Sequence, residues 1–255
     1  MKKISLIALF LSLSFAHGYA ANWYVDRDAA GANNGTSWAN AWTSFSNVAW
    51  GSNGVKAGDT LYISGGSSSK TYTSRLVVGA NGTASSRITI RVGQDAGHNG
   101  EVIMDFSSLG ESMDGGAIEC NSRSYITIDG SVGSSRRLTI KNVRNSGNNT
   151  AAKAISAASG SYITVQYLNI DNCSNGFRSS YGTGFIVAYC NLTNIRGDSG
   201  IGYVQCEGTW DANLIHHNHI GLLANSSTKY GPDGVQIGHG VSIHDNTFRV
   251  DMTSQ

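Results

Sequence analysis

The sequence predicts an all-β solenoid of stacked parallel strands, and three observations carry that reading. The first is a repeat. YITVQYLNI (162–170), FIVAYCNL (185–192), NLIHHNHI (213–220) and VSIHDNTF (241–248) align, with Val165, Val187, Ile215 and Ile243 in one place at separations of 22, 28 and 28 residues. The second is a fixed offset. Ile170, Leu192, Ile220 and Phe248 follow five residues later with the same separations. Two apolar ladders keep step while the chain between them varies in length, as in coils stacked about 4.8 Å apart. The third is composition. Gly is abundant (32), Pro nearly absent (1), and short Ile/Val/Leu runs alternate with Gly, Ser, Asn and Thr. That pattern reads as many short strands joined by many turns.

The elements follow in chain order. MKKISLIALFLSLSFAHGYA (1–20) has Lys2 and Lys3, an apolar run to Phe15, and small residues at Gly18 and Ala20. It reads as a secretory signal peptide, cleaved after Ala20, and its apolar run is too short to span a bilayer. A secreted or periplasmic location is therefore expected. Residues 21–58 form a cap region. Within Asn40–Trp50, Trp42, Phe45, Val48 and Ala49 fall on one helical stripe, predicting a short amphipathic helix over the open end of the first coil. Trp23, Trp38, Trp42 and Trp50 crowd this region and read as lid packing. Residues 59–255 hold the coils. An early copy, YITIDG (125–130), is followed after an insertion by LTIKNV (138–143). A third strand precedes each pair: GAIEC (116–120), KAISA (153–157), NGFRS (175–179), IGYVQC (201–206) and DGVQIG (233–238). Asn218 and Asn246 recur at one corner, where stacked amides can satisfy turn backbone. The chain stops at RVDMTSQ, directly after a rung strand. A further segment or a partner subunit is expected to cover that end.

The cap and the early rungs also carry a family resemblance. Tyr24-Val25-Asp26, Asn34-Gly35-Thr36-Ser37-Trp38, Gly58-Asp59-Thr60, and Ile88-Thr89-Ile90 leading to Val102-Ile103 resemble secreted right-handed parallel β-helix proteins of the pectate-lyase-like superfamily. The resemblance covers essentially the whole mature chain. It implies a right-handed parallel β-helix and export, and a carbohydrate-related function among polysaccharide lyases, polygalacturonases, uronan epimerases and phage tailspikes.

Charged residues make up 14% of the chain and the formal net charge is +1, which argues against nucleic acid or an anionic membrane as partner. Cys120, Cys173, Cys190 and Cys206 match no zinc-ribbon or CxxC spacing and read as buried free thiols; Cys120 and Cys206 sit on strands three rungs apart, too far to bridge. A polysaccharide is the expected partner, bound along the first strand of each rung where the longest insertions enter: 144–152, 196–199 and 222–232.

Two chemistries suit such a groove. A lyase on a uronic acid must neutralise the sugar carboxylate, remove the C5 proton and expel the glycosidic oxygen. Lys229, Asp233, Tyr230 and Arg178 are the catalytic candidates, and Tyr203, Gln236 and Trp210 the substrate-binding ones. Ca²⁺ is a candidate cofactor, with Asp198, Glu207 and Asp211 the nearest clustered oxygens. A hydrolase needs two carboxylates across the bond. Asp233 in PDGVQ resembles the first aspartate of a polygalacturonase element, but the expected Asp-Asp pair is absent and the GHG of residues 238–240 reads as a turn. A non-catalytic adhesin or glycan-binding module would use the same groove. His216 and His244 share one position on adjacent rungs, with His219 and Asp245 nearby. They read as a solvated polar ladder or as a surface metal site.

Overall fold

The structure, a computed structural model, describes residues 20–146, 151–197, 199–204, 213–224, 233–237 and 240–252. The expected leader, 1–19, lies outside them. Three parallel sheets run the length of a coil. Sheet I consists of β1 (Asn22–Val25), β2 (Thr60–Ile63), β5 (Ile88–Val92), β8 (Ser124–Asp129), β13 (Ser161–Gln166), β16 (Ile186–Ala188), β19 (Asn213–His216) and β22 (Val241–His244). Sheet II consists of β3 (Ser69–Tyr72), β6 (Glu101–Asp105), β11 (Leu138–Lys141), β14 (Leu168–Asp171), β17 (Asn191–Ile195), β20 (His219–Ala224) and β23 (Thr247–Met252). Sheet III consists of β4 (Leu76–Val77), β7 (Gly115–Glu119), β12 (Ala152–Ser156), β15 (Asn175–Ser180), β18 (Ser199–Val204) and β21 (Asp233–Ile237). The chain visits I, II and III in turn, so each strand pairs with its equivalents in the rungs before and after. The insertion after YITIDG is a small hairpin, β9 (Ser131–Val132) with β10 (Ser135–Arg136). This is the parallel β-helix that the repeat predicts.

The expected ladders are in register. Leu61, Ile90, Ile128, Val165, Val187, Ile215 and Ile243 are successive partners in sheet I. Tyr72, Met104, Ile140, Ile170, Leu192, Ile220 and Phe248 are partners in sheet II. Leu76, Ile118, Ile155, Phe177, Ile201 and Val235 form a third ladder in sheet III. Nearly all are fully buried, and each buried aliphatic side chain stabilises the coil by about 1.5–3 kcal/mol. Ile243 and Phe248 depart from the expected burial, at 41% and 49% exposed. They belong to the last described rung, and no described residue stacks beyond them.

Glycines let sheets II and III approach. A Cβ on Gly176 would fall 2.3 Å from the Gly200 carbonyl and 2.5 Å from Leu192 Cδ2. One on Gly200 would fall 2.8 Å from Ile220 Cγ2, and one on Gly234 2.7 Å from the Phe248 ring. Each glycine makes room for the sheet II side chain of its own rung.

The cap differs in part from the expected helix over 40–50. Its helical element is one 3₁₀ turn, Phe45–Asn47, with a second at Gly51–Asn53. Local side chains take the backbone groups a longer helix would use: Ser44 accepts from the Ser46 N–H and Asn33 from the Thr43 N–H. The stripe is buried all the same, with Trp42, Phe45 and Val48 in the core. The cap also contains β1, the first strand of sheet I, so the coil begins before residue 59.

Candidate functional site

The outer side of sheet III carries the charged groups that the groove reading calls for. Glu119, Ser156, Arg178, Gly202 and Gln236 are successive register partners, a column crossing five rungs. Their neighbours Ile118, Ile155, Phe177, Ile201 and Val235 face the core, so strand alternation turns this column outward. Arg75 comes from the turn before β4. Its guanidinium pairs with Glu119 and donates through Nε to the Gly116 carbonyl at 3.0 Å. Glu119 also accepts from the Gly116 N–H at 2.9 Å. Gly115 lies beneath this pair at φ +88°, and a Cβ there would fall 2.3 Å from both Arg75 Nη2 and Glu119 Oε1. The bare backbone is what allows the pair to lie flat on the sheet.

Lys153 enters one rung further on, beside Gly116 in register. It is half-buried, and its Nζ donates to the Ala151 carbonyl at 2.9 Å. Its pKa is lowered, first by burial and then by the positive charge of Arg178, with Arg75 adding to the effect. Asp114 and Glu119 pull the other way without reversing it. The sheet thus holds a lysine that gives up its proton more readily than a free one, within electrostatic reach of two arginines and two carboxylates. A neutral amine can keep its hydrogen bond to Ala151 and still offer a lone pair.

Of the residues expected at the site, Arg178 stands in this cluster and Gln236 in the same outward column. Gln236 Oε1 is buried with no hydrogen-bond partner among the described residues. Asp233 opens β21, exposed, in register with Ser199. It is two rungs from Arg178 and three residues out of register, so the structure does not bring the two together. Asp233 and Glu119 are four rungs apart, about 19 Å at strand spacing. That exceeds the roughly 6.5–9.5 Å of an inverting carboxylate pair. Tyr203 pairs through its backbone with Ser179 and Ile237. Lys229, Tyr230, Trp210, Asp198, Glu207, Asp211, Cys206 and the GHG histidine lie outside the described residues. Sequence reasoning missed Lys153, Glu119 and Arg75. Aligning KAISA with GAIEC and NGFRS would have put Glu119, Ser156 and Arg178 in one column, but nothing in the repeat announces the turn that brings Arg75 over it.

A second charged cluster lies at the cap. Lys70 pairs with Asp26 and, at 3.1 Å, with Asp28; His98 Nδ1 is 2.9 Å from Ser64 Oγ and 3.4 Å from Asp26. Burial alone would raise the Asp26 pKa, but hydrogen bonds from Lys70, the Asp28 N–H and Ser64 outweigh it and leave the pKa lowered. Trp38 borders an open cleft of about 500 Å³ beside this network. One face of its ring stacks on His98 at 3.9 Å, Tyr24 meets it edge-on, and its Nε1 donates to Asp95 at 2.9 Å. Trp23 stacks on Trp42. Trp23, Trp38 and Trp42 are thus tied into the lid, and Trp50 packs against the core. The motif residue Asp59 is fully buried and accepts from the Ala21 N–H, the Trp23 indole and the Lys56 N–H. Cys120, Cys173 and Cys190 are free and buried, with burial pushing each thiol up to about 12. No helix among the described residues is long and apolar enough to cross a membrane.

No protein-family model and no curated protein matches the chain. Among solved structures it is similar to a rhamnogalacturonan lyase, at 13% identity and a TM-score of 0.56, over 92% of this chain and 63% of that one. It also aligns with a GH136 lacto-N-biosidase from Eubacterium ramulus, at 9% identity and a TM-score of 0.36, over 91% of this chain and 68% of that one. The likeness to the lyase is one of fold, and the chain spans 63% of its length.

Proposed function

We propose that the chain is an exported, carbohydrate-active protein, and specifically a polysaccharide lyase acting on a uronic-acid-containing polysaccharide bound along the outer side of sheet III. The observation that carries this reading is Lys153, a half-buried lysine on sheet III whose pKa is lowered by burial and by the charges of Arg178 and Arg75. Elimination at a uronate needs these parts. A cation neutralises the carboxylate and makes the C5 proton more acidic. A neutral amine removes that proton, the C4–O bond breaks, C4=C5 forms, and the departing oxygen takes up a proton. Arg178 is the candidate for the first role and Lys153 for the second. The fold shared with a rhamnogalacturonan lyase adds that polymer to the substrates worth testing.

The test is a panel of pectate, alginate, rhamnogalacturonan and glycosaminoglycans, read for unsaturated uronate by ultraviolet absorbance and for reducing ends. Unsaturated product from one polymer supports the reading; reducing ends without unsaturation would point to hydrolysis. Lys153→Arg keeps a cation that stays protonated, and is expected to lower kcat at least about a hundredfold while the protein still binds the polymer. Binding by the wild-type chain with no turnover of any polymer would leave the adhesin or glycan-binding reading in its place.

A further inference from the structure

Far from sheet III, at the corner between sheets I and II, two adjacent rungs bring four polar side chains together. His216 and His244 are register partners at the ends of β19 and β22, and their rings stack 5.1 Å apart at 2°. His217 and Asp245 follow them, both left-handed at φ 54°. The same φ recurs at Tyr167 and Tyr189 on the preceding rungs, and Tyr189 stacks on His217 at 4.9 Å. The column is therefore a built feature of this corner, whose occupant changes from tyrosine to histidine to aspartate.

The donor atoms converge. His244 Nδ1 is 2.8 Å from Asp245 Oδ2, and His217 Nε2 is 3.9 Å from the same oxygen. One donor atom from each of His217, His244 and Asp245 lies within 4.8 Å of the others. Bonds of about 2.0–2.2 Å in a tetrahedron put donors about 3.3 Å apart, so the observed distances bracket what one ion needs. His216 Nδ1 is 2.9 Å from His217 Nδ1. If His217 donates there, its Nε2 keeps the lone pair and faces Asp245. A partner on the non-ligating nitrogen is how metal-binding imidazoles are oriented. All three donor groups are exposed, which leaves a fourth position to solvent.

We propose that His217, His244 and Asp245 bind one divalent transition-metal ion of the Zn²⁺ class, with His216 as a positioning residue. Two imidazoles and a carboxylate suit Zn²⁺, Ni²⁺ or Cu²⁺, whereas Ca²⁺ takes six to eight oxygens. The site ties two adjacent rungs together through their side chains.

The experiment titrates Zn²⁺ alone into the untagged chain by calorimetry, with Ca²⁺ as comparison. The expected result is one Zn²⁺ per chain, with Kd below about 100 µM and no Ca²⁺ isotherm. His217→Ala and His244→Ala should each weaken binding at least about tenfold. His216→Ala should weaken it about tenfold with unchanged stoichiometry and an unchanged visible spectrum of the Co²⁺-loaded chain. Circular dichroism of the metal-free variants checks the fold, and His244→Gln and Asp245→Asn replace any alanine variant that does not fold. Absence of saturable Zn²⁺ binding, or binding of equal strength in the His217 and His244 variants, would overturn the proposal. Because the readout is metal affinity, the outcome is independent of lyase activity.

Discussion

Single residues do two jobs, closing the coil at its corners and tuning charge on its sheets. Asn218 does the first. Its Nδ2 donates to the Val187 carbonyl at 2.9 Å and to Asn246 Oδ1 at 3.0 Å, while its Oδ1 accepts from the Cys190 N–H at 2.9 Å. Asn218→Ala would orphan a buried N–H and is expected to destabilise the fold by about 1–3 kcal/mol, read from urea denaturation midpoints. Lys153 does the second. A folded pKa below the usual 10.5 means that the neutral amine forms earlier as pH rises. Turnover should therefore climb with pH through the folded pKa and level off above it, within the range where the chain stays folded. A bell or plateau unchanged in Lys153→Arg would remove lysine from the base role. The stacked asparagines were legible in the sequence, because Asn218 and Asn246 share one repeat position. Lys153 was not, because its pKa is lowered by burial in the folded sheet and then by Arg178 and Arg75, which act on it from another rung and from a turn.

Whole elements show the same division. The three-strand rung was legible in its strand order and register, since the period and the five-residue offset align the sheet I and sheet II strands of the later rungs, but β17, β20 and β23 run three to four residues past the repeat segments. The cap was legible as a buried stripe but not as 3₁₀ turns, because Ser44 and Asn33 compete for its backbone in ways the apolar spacing does not encode. Two predictions belong here. Gly176→Ala should destabilise by about 1–3 kcal/mol or force sheets II and III apart, as its Cβ would fall 2.5 Å from Leu192 Cδ2 in sheet II, besides meeting the Gly200 carbonyl of the next sheet III strand at 2.3 Å. An unchanged melting curve would mean the sheets have room to spare. The cap should loosen in acid. Asp26 has a lowered folded pKa, so its contribution is complete above the usual carboxylate value of 3.8 and is lost as pH falls through the folded value. Tryptophan fluorescence followed from pH 6 to pH 2 reads this directly, and Asp26→Asn should flatten the transition.

At the scale of the molecule, the core is a stack of rungs, each packed on the ones before and after it. Ile215 is fully buried with Val187 before it and Ile243 after it. Ile215→Asp places an unpaired carboxylate in that stack at a cost of several kcal/mol and should prevent the chain from folding. A well-folded variant would mean that the ladder is misassigned. The parallel register has a mechanical consequence. The backbone hydrogen bonds point along the stacking direction, so a force applied at the two ends loads them in tension and in series, one coil after another. The molecule should lengthen in steps instead of giving way at once, with each step set by the chain released from one coil. For coils of 28 residues that is about 95 Å, and for the 22-residue coil between Val165 and Val187 about 75 Å. An optical-tweezer trace with steps near these two sizes, and longer ones of about 130 Å from the coils between Ile90, Ile128 and Val165, would read the repeat lengths of the sequence as a ruler.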